Sequence, residues 1–230
     1  MLKTVFLDAG GVLLFPNWTR IEAALVRHGV HVTAGELSRA EPRARKQLDD
    51  QGTIGATTDA SRGWLFFDLI LEHAGIPQSA ETAAALVELH AYHQANNLWE
   101  LVPDGVRPAL IALREHGLTL VVVSNANGTL GAHMERIGLS THLDIVIDSR
   151  DEGVEKPDPR LFQIALDRAG ARPESTIHVG DLYQVDVVGA RAAGLRAVLL
   201  DETNLRPDAD CDRVASLGEL VDRIRSGAFD

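Results

Sequence analysis

"MLKTVFLDAGGVLLFP", residues 1–16, carries an apolar run over 3–7, an acid at Asp8 where that run ends, and the pair Gly10 and Gly11 soon after. A short continuous apolar run bounded by glycine reads as a strand buried on both faces, the kind found in parallel sheets. Four later runs repeat it: "LTLVVVS" (118–124), "LDIVI" (143–147), "STIHVG" (175–180) and "LRAVLL" (195–200). Helical patterns separate and follow them. "PDGVRPALIALREHG" stops at Gly117, "KPDPRLFQIALDRAG" has proline at its start and Gly170 at its end, and "SLGELVDRIRSG" closes the chain. Strands alternating with helices predict an α/β fold around a parallel sheet covered on both faces.

Residues 17–98 break that rhythm with amphipathic helical stretches and no strand pattern: "NWTRIEAALVRHG", "AGELSRAEPRARKQLDD", "ASRGWLFFDLILEHAG" and "SAETAAALVELHAYHQANN". An all-helical insertion after the first strand is expected to cap the strand ends, where open α/β sheets place their ligands. The expected division is a core of residues 1–16 and 99–230 and a cap of 17–98. The joints fall near "LLFPN" and "LWELVPDG", where proline and glycine allow a bend.

Composition narrows the partners. The 230 residues, 45% of them hydrophobic, can bury a real core. A formal net charge of −11 disfavours a broad nucleic-acid or anionic-membrane surface, so an anionic ligand has to be small and locally cradled. The single cysteine, Cys211, excludes an intramolecular disulfide and fits a reducing, cytoplasmic setting. No apolar run has the length of a membrane span.

The chemistry gathers just after the predicted strands: Asp8, Ser124 with Asn125, Lys156, and the acids Asp181 and Asp186 of "GDLYQVD". Singly, each has an ordinary structural reading as a turn cap, an Asx turn or a solvated lysine. Together they say more. Carboxylates converging at two strand ends repel unless a cation lies between them, and oxygen donors without a His or Cys cluster suit a hard ion such as Mg²⁺. A hydroxyl, an amide and an ammonium beside that ion form a cradle for a phosphoryl group, with Asp8 as the nucleophile.

These stretches, "VFLDAGGVL", "VVVSNANG", "EGVEKPDPRLFQIAL" and "IHVGDLYQVDVVGARAAG", resemble the motifs of the haloacid dehalogenase-like hydrolase superfamily in order and spacing. The resemblance implies a Rossmann-like core with a helical cap, and Mg²⁺-dependent hydrolysis of a small phosphorylated metabolite through an aspartyl-phosphate on Asp8. It makes Asp8, the Gly10 carbonyl, Asp181 and Asp186 the metal set, and Ser124, Asn125 and Lys156 the phosphate contacts. Lys156 bridges the phosphoryl group and Asp8, and Asp186 orients that lysine or a metal-bound water.

One position departs from the pattern. Phosphatases of the superfamily usually carry a second aspartate two residues after the nucleophile as the acid and base, and Gly10 stands there. The cap could supply the acid, with His28, His31, His90 and His93 as candidates, or the substrate could have a good leaving group such as an acyl, anomeric or aryl phosphate. A third account is a catalytically weak pseudo-phosphatase acting as a binding module. A metal-independent 2-haloacid dehalogenase is the rival within the superfamily, disfavoured by Asp181 and by glycine where those enzymes place an aromatic residue. Trp18, Arg20, Asn96 and Trp99 mark the stretches expected near the cap joint, and the apolar cap helices could pair into a homodimer.

Overall fold

The computed structural model describes residues 1–50 and 59–230, and of residues 59–63 the backbone only. The chain divides into two compact units, one of residues 15–101 and one of residues 1–14 with 102–230.

The first unit is helical: α1 (Trp18–Arg27), α2 (Ala34–Asp50), α3 (Asp59–His73) and α4 (Ala80–Asn96). Local chemistry starts these helices. The Asn17 side chain accepts the Arg20 N–H at 3.0 Å, and Ser79 and Thr82 form a reciprocal capping box at the head of α4. Trp18, Ile21, Leu25, Leu37, Phe67, Ile70 and Leu89 close the core. Within α2, Arg45 grips Glu41 one turn back through two bonds of 3.0 and 2.6 Å, a buried bidentate pair. The two ends of the unit are tied to each other. Phe15 and Leu101 exchange backbone hydrogen bonds of 2.8 and 3.0 Å, and Asn17 N–H donates to Leu98 O at 2.9 Å. These bonds draw Phe15 and Leu101 into the helical unit, slightly beyond the joints expected at 16 and 99.

The second unit is a parallel sheet of six strands in the order β3-β2-β1-β4-β5-β6. They are β1 (Thr4–Leu7), β2 (Thr119–Ser124), β3 (Ile145–Asp148), β4 (Thr176–Gly180), β5 (Arg196–Leu200) and β6 (Asp212–Val214). The α/β, Rossmann-like architecture expected from the sequence is the one observed. The helices of this unit are α5 (Val106–Glu115), α6 (Leu130–Arg136), α7 (Ser149–Glu152), α8 (Pro159–Ala169), α9 (Val188–Ala192) and α10 (Leu217–Arg225). Phe6, Val121, Val123 and Ile147 pack with Leu161 and Phe162 of α8 and Ala190 of α9. Gly189 makes that packing close, because a Cβ there would lie 2.9 Å from the Pro157 Cα.

Strand β6 lies outside the predicted set. Its three residues, "DRV", have no apolar run to mark them, and they become a strand by pairing with β5, Leu199 opposite Arg213.

Candidate active site

The chain winds from β1 through β2 to β3 on one side and from β4 through β5 to β6 on the other, so the order reverses between β1 and β4. Adjacent connections leave in opposite directions there, opening a crevice at the carboxyl ends of the strands. Leu7 pairs with Val179, which brings Asp8 and Gly180 to the rim of that crevice, and Asp8 N–H donates to Val179 O at 2.9 Å. Past Asp8 the chain turns at once, Ala9 O accepting the N–H of both Leu13 and Leu14.

Asp8, Asp181 and Asp186 each offer a carboxylate oxygen within 4.8 Å of the others. Glycines make the approach. Gly11 has φ +73°, and a Cβ there would lie 2.1 Å from Asp181 Oδ2. A Cβ at Gly180 would lie equally close, 2.1 Å, to Asp186 Cγ. Gly10 itself forms a bridge with Leu14 beside this cluster.

Lys156 is buried rather than solvated, with 1% of its surface exposed. Its Nζ lies 2.9 Å from Asp8 Oδ1 and 2.7 Å from Asp186 Oδ1. Burial disfavours its charge, but the two carboxylates outweigh that and hold the lysine above its ordinary value. Asp186 is likewise buried, yet Lys156 and a hydrogen bond from His178 keep it well below the usual carboxylate range. For Asp8, burial wins: it pushes the carboxyl up, Asp186 adds to the push, and Lys156 and Ser124 oppose it. Three carboxylates gathered within 4.8 Å present oxygen donors alone, so these residues fit a hard divalent cation.

Asp8 Oδ1 accepts from Ala9 N–H at 2.8 Å as well as from Lys156. With that oxygen doubly engaged, the second oxygen is the one with capacity for an electrophile or a cation. Ser124, at the end of β2, lies buried within reach of the Asp8 carboxylate. Asn125 does something the motif did not reveal. Its Oδ1 accepts Lys156 N–H at 2.7 Å and its Nδ2 donates to Lys156 O at 3.0 Å, so its amide clamps the lysine backbone.

Two further residues escaped the sequence reading. Asp148 ends β3 and accepts three backbone N–H groups, from Gly128 (2.9 Å), Leu130 (3.1 Å) and Arg150 (3.0 Å), fixing the loop that follows Ser124. His178, inside β4, reaches Asp186 Oδ1 at 2.9 Å. A polar residue in the centre of "TIHVG" is the signal that could have found it.

Three of the four histidines proposed as substitute acids have partners within the helical unit. His28 pairs with Glu88 at 3.1 Å, His93 Nδ1 accepts Leu98 N–H at 3.1 Å, His90 packs on Trp64, and His31 is exposed. Trp18 is core, Trp99 packs edge-on to Phe67 and His93, Asn96 donates to Tyr92 O, and Arg20 lies over the Tyr92 ring. Among the described residues no helix is long and apolar enough to cross a membrane.

Comparison with known proteins bears on the family and the fold. The chain is 34% identical over 179 residues to haloacid dehalogenase-like hydrolase domain-containing protein 3 of Bos taurus, covering 75% of this chain and 70% of that one. It is 34% identical over 185 residues to a ribulose-1,5-bisphosphate 5-phosphatase of Halopiger xanaduensis, covering 74% and 75%. Among solved structures, the HAD-hydrolase YfnB of Bacillus subtilis, bound to magnesium, superposes with a TM-score of 0.68 at 18% identity over 96% of this chain and 97% of that one, a likeness of fold. Residues 2–194 match the haloacid dehalogenase-like hydrolase family as a whole. On that match and those relatives, the chain belongs to the haloacid dehalogenase-like hydrolase family.

Proposed function

We propose that the protein is a Mg²⁺-dependent phosphatase of small phosphorylated metabolites, working through an aspartyl-phosphate on Asp8. The observation that carries this reading is the contact of Lys156 Nζ with Asp8 Oδ1 at 2.9 Å beside two further carboxylates within 4.8 Å. A relative named as a ribulose bisphosphate phosphatase supports phosphate esters as the substrate class. A metal-independent 2-haloacid dehalogenase would leave Asp8, Asp181 and Asp186 gathered without a cation to offset them, which disfavours that alternative.

In this reading Asp8, Asp181 and Asp186, with the Gly10 carbonyl, would hold Mg²⁺, which when bound supplies positive charge to offset the carboxylates and the phosphoryl oxygens. Asp8 attacks phosphorus with its second oxygen while Oδ1 stays held by Ala9 N–H and Lys156. A P–O bond to Asp8 forms and the P–O bond to the leaving group breaks, its electron pair departing with the leaving oxygen. Water then cleaves the acyl phosphate and restores the Asp8 carboxylate. Ser124 donates to the phosphoryl oxygens and Lys156 offsets their charge, while Asn125 acts on Lys156 through its backbone clamp. The helical unit, proposed as the cap, selects the substrate.

Gly10 offers no proton. General acid help is typically worth 10² to 10⁴-fold, about 3 to 5 kcal/mol, so substrates that leave without protonation, such as acyl, aryl or anomeric phosphates, are favoured.

The test is a phosphate-release screen in Mg²⁺ over alkyl, aryl, acyl and sugar 1-phosphates, with Asp8→Asn as control. The expected result is Mg²⁺-dependent release by the wild type, fastest for the good leaving groups, and none above background for Asp8→Asn. Equal release by both proteins would exclude Asp8 as the nucleophile. Silence across the whole panel would put the binding-module account first, and chloride release from 2-chloropropionate in EDTA would restore the dehalogenase.

A further inference from the structure

His178 occupies the centre of β4 with no exposed surface, between Ile177 and Val179. A leucine or valine would suit that apolar strand. The imidazole instead leaves Nδ1 buried without a partner among the described residues, while the Phe162 ring meets it edge-on at 4.9 Å. Burying an orphaned polar atom is unfavourable, so the other ring nitrogen has to matter. Nε2 lies 2.9 Å from Asp186 Oδ1, and because an ionised carboxylate only accepts, Nε2 carries a proton and donates it to that oxygen.

We propose that His178 is a positioning residue for the Lys156 ammonium, acting through Asp186. The inference rests on the reading of Asp8 and Lys156 as the reacting pair. Asp186 is fixed from three directions: Oδ1 by His178 and Lys156, and Oδ2 by Leu182 N–H at 3.0 Å. Removal of the imidazole donor leaves Oδ1 with Lys156 alone. The carboxylate can then rotate about its side chain and draw the ammonium with it, away from Asp8. The chain of contacts His178, Asp186, Lys156, Asp8 thus runs from the sheet interior to the reacting atom, and His178 itself touches no substrate.

Two amides of different reach separate this role from packing. Glutamine can set its N–H₂ close to the Nε2 position, whereas asparagine stops near Nδ1, and leucine has no donor. The wild type and His178→Gln, His178→Asn and His178→Leu are checked for native circular dichroism, then treated with acetic anhydride without divalent cations. Labelling of Lys156 is read by mass spectrometry against exposed Lys3. We expect His178→Gln to protect Lys156 within about threefold of wild type, and the other two to raise its labelling about tenfold or more. Phosphate release should follow, kcat falling about tenfold or more in His178→Asn and His178→Leu and recovering in His178→Gln. Folded asparagine or leucine variants that protect Lys156 as the wild type does would overturn the proposal, as would a folded glutamine variant as labile as leucine. If leucine prevents folding, asparagine decides. A wild type that releases no phosphate refutes the phosphatase reading, while the labelling series still decides the role of His178.

Discussion

Gly11 and Asp181 are a fitted pair. A side chain at 11 would have to adopt a left-handed backbone and occupy the space that the Asp181 carboxylate fills. Gly11→Ala is therefore expected to displace Asp181 and to raise the Mg²⁺ concentration for half-maximal activity about tenfold or more, measured by phosphate release against Mg²⁺. Asp8 should behave oppositely with respect to the fold. Its raised folded value means that the metal-free protein loses stability as pH rises from the ordinary carboxylate range through that value. Asp8→Asn, which is neutral throughout, should raise the thermal midpoint in EDTA by about 2–4 °C at neutral pH, read by calorimetry, while activity disappears. The sequence exposed these residues unequally. Asp8 and Asp181 were legible because acids at strand ends stand out in an apolar context. The Asn125 clamp and the His178 contact were not, since each joins segments about 31 and 8 residues apart whose closeness exists only once the sheet forms.

The helices of the inserted unit were legible for the same local reasons that form them. Asn17, Ser79 and the apolar spacing of α1 act within a turn or two. β6 was illegible because its only reason to be extended is its neighbour β5. α2 breaks a local rule, carrying Pro42 in its interior, where an N–H is lost and the ring crowds the Ser38 carbonyl. Pro42→Ala is expected to stabilise the helical unit by about 1–3 kcal/mol, measurable as a shifted denaturant midpoint. Glu100 at the end of the unit is half-buried and accepts from Asn17 Nδ2 (2.9 Å), Arg20 Nε (3.3 Å) and Tyr92 OH (3.0 Å). Burial alone would raise its value, but these donors bring it below the ordinary one. Its contribution is thus present above the usual glutamate range and lost as pH falls through the lowered folded value. Glu100→Gln should flatten that acid limb by about 1 kcal/mol or less in urea titrations at stepped pH.

On the scale of the molecule, the proposed site gathers three acids in a chain of net charge −11, so under that proposal a divalent cation would stabilise the fold as well as serve the reaction. Mg²⁺ at about 100 times its dissociation constant should add about 2.7 kcal/mol to the wild type, and Asp181→Asn should lose most of that gain in a thermal-shift titration. The ribbon made by Phe15 and Leu101 has a different reach. Because the helical unit begins and ends at paired backbones, with its own buried core, it has the form of a cassette whose two ends emerge side by side. Residues 15–101 expressed alone should give helical circular dichroism and a cooperative melt. Under the proposed role of that unit, a lineage carrying this sheet could therefore exchange one cassette for another between residues 14 and 102, renewing its choice of substrate without rethreading a strand.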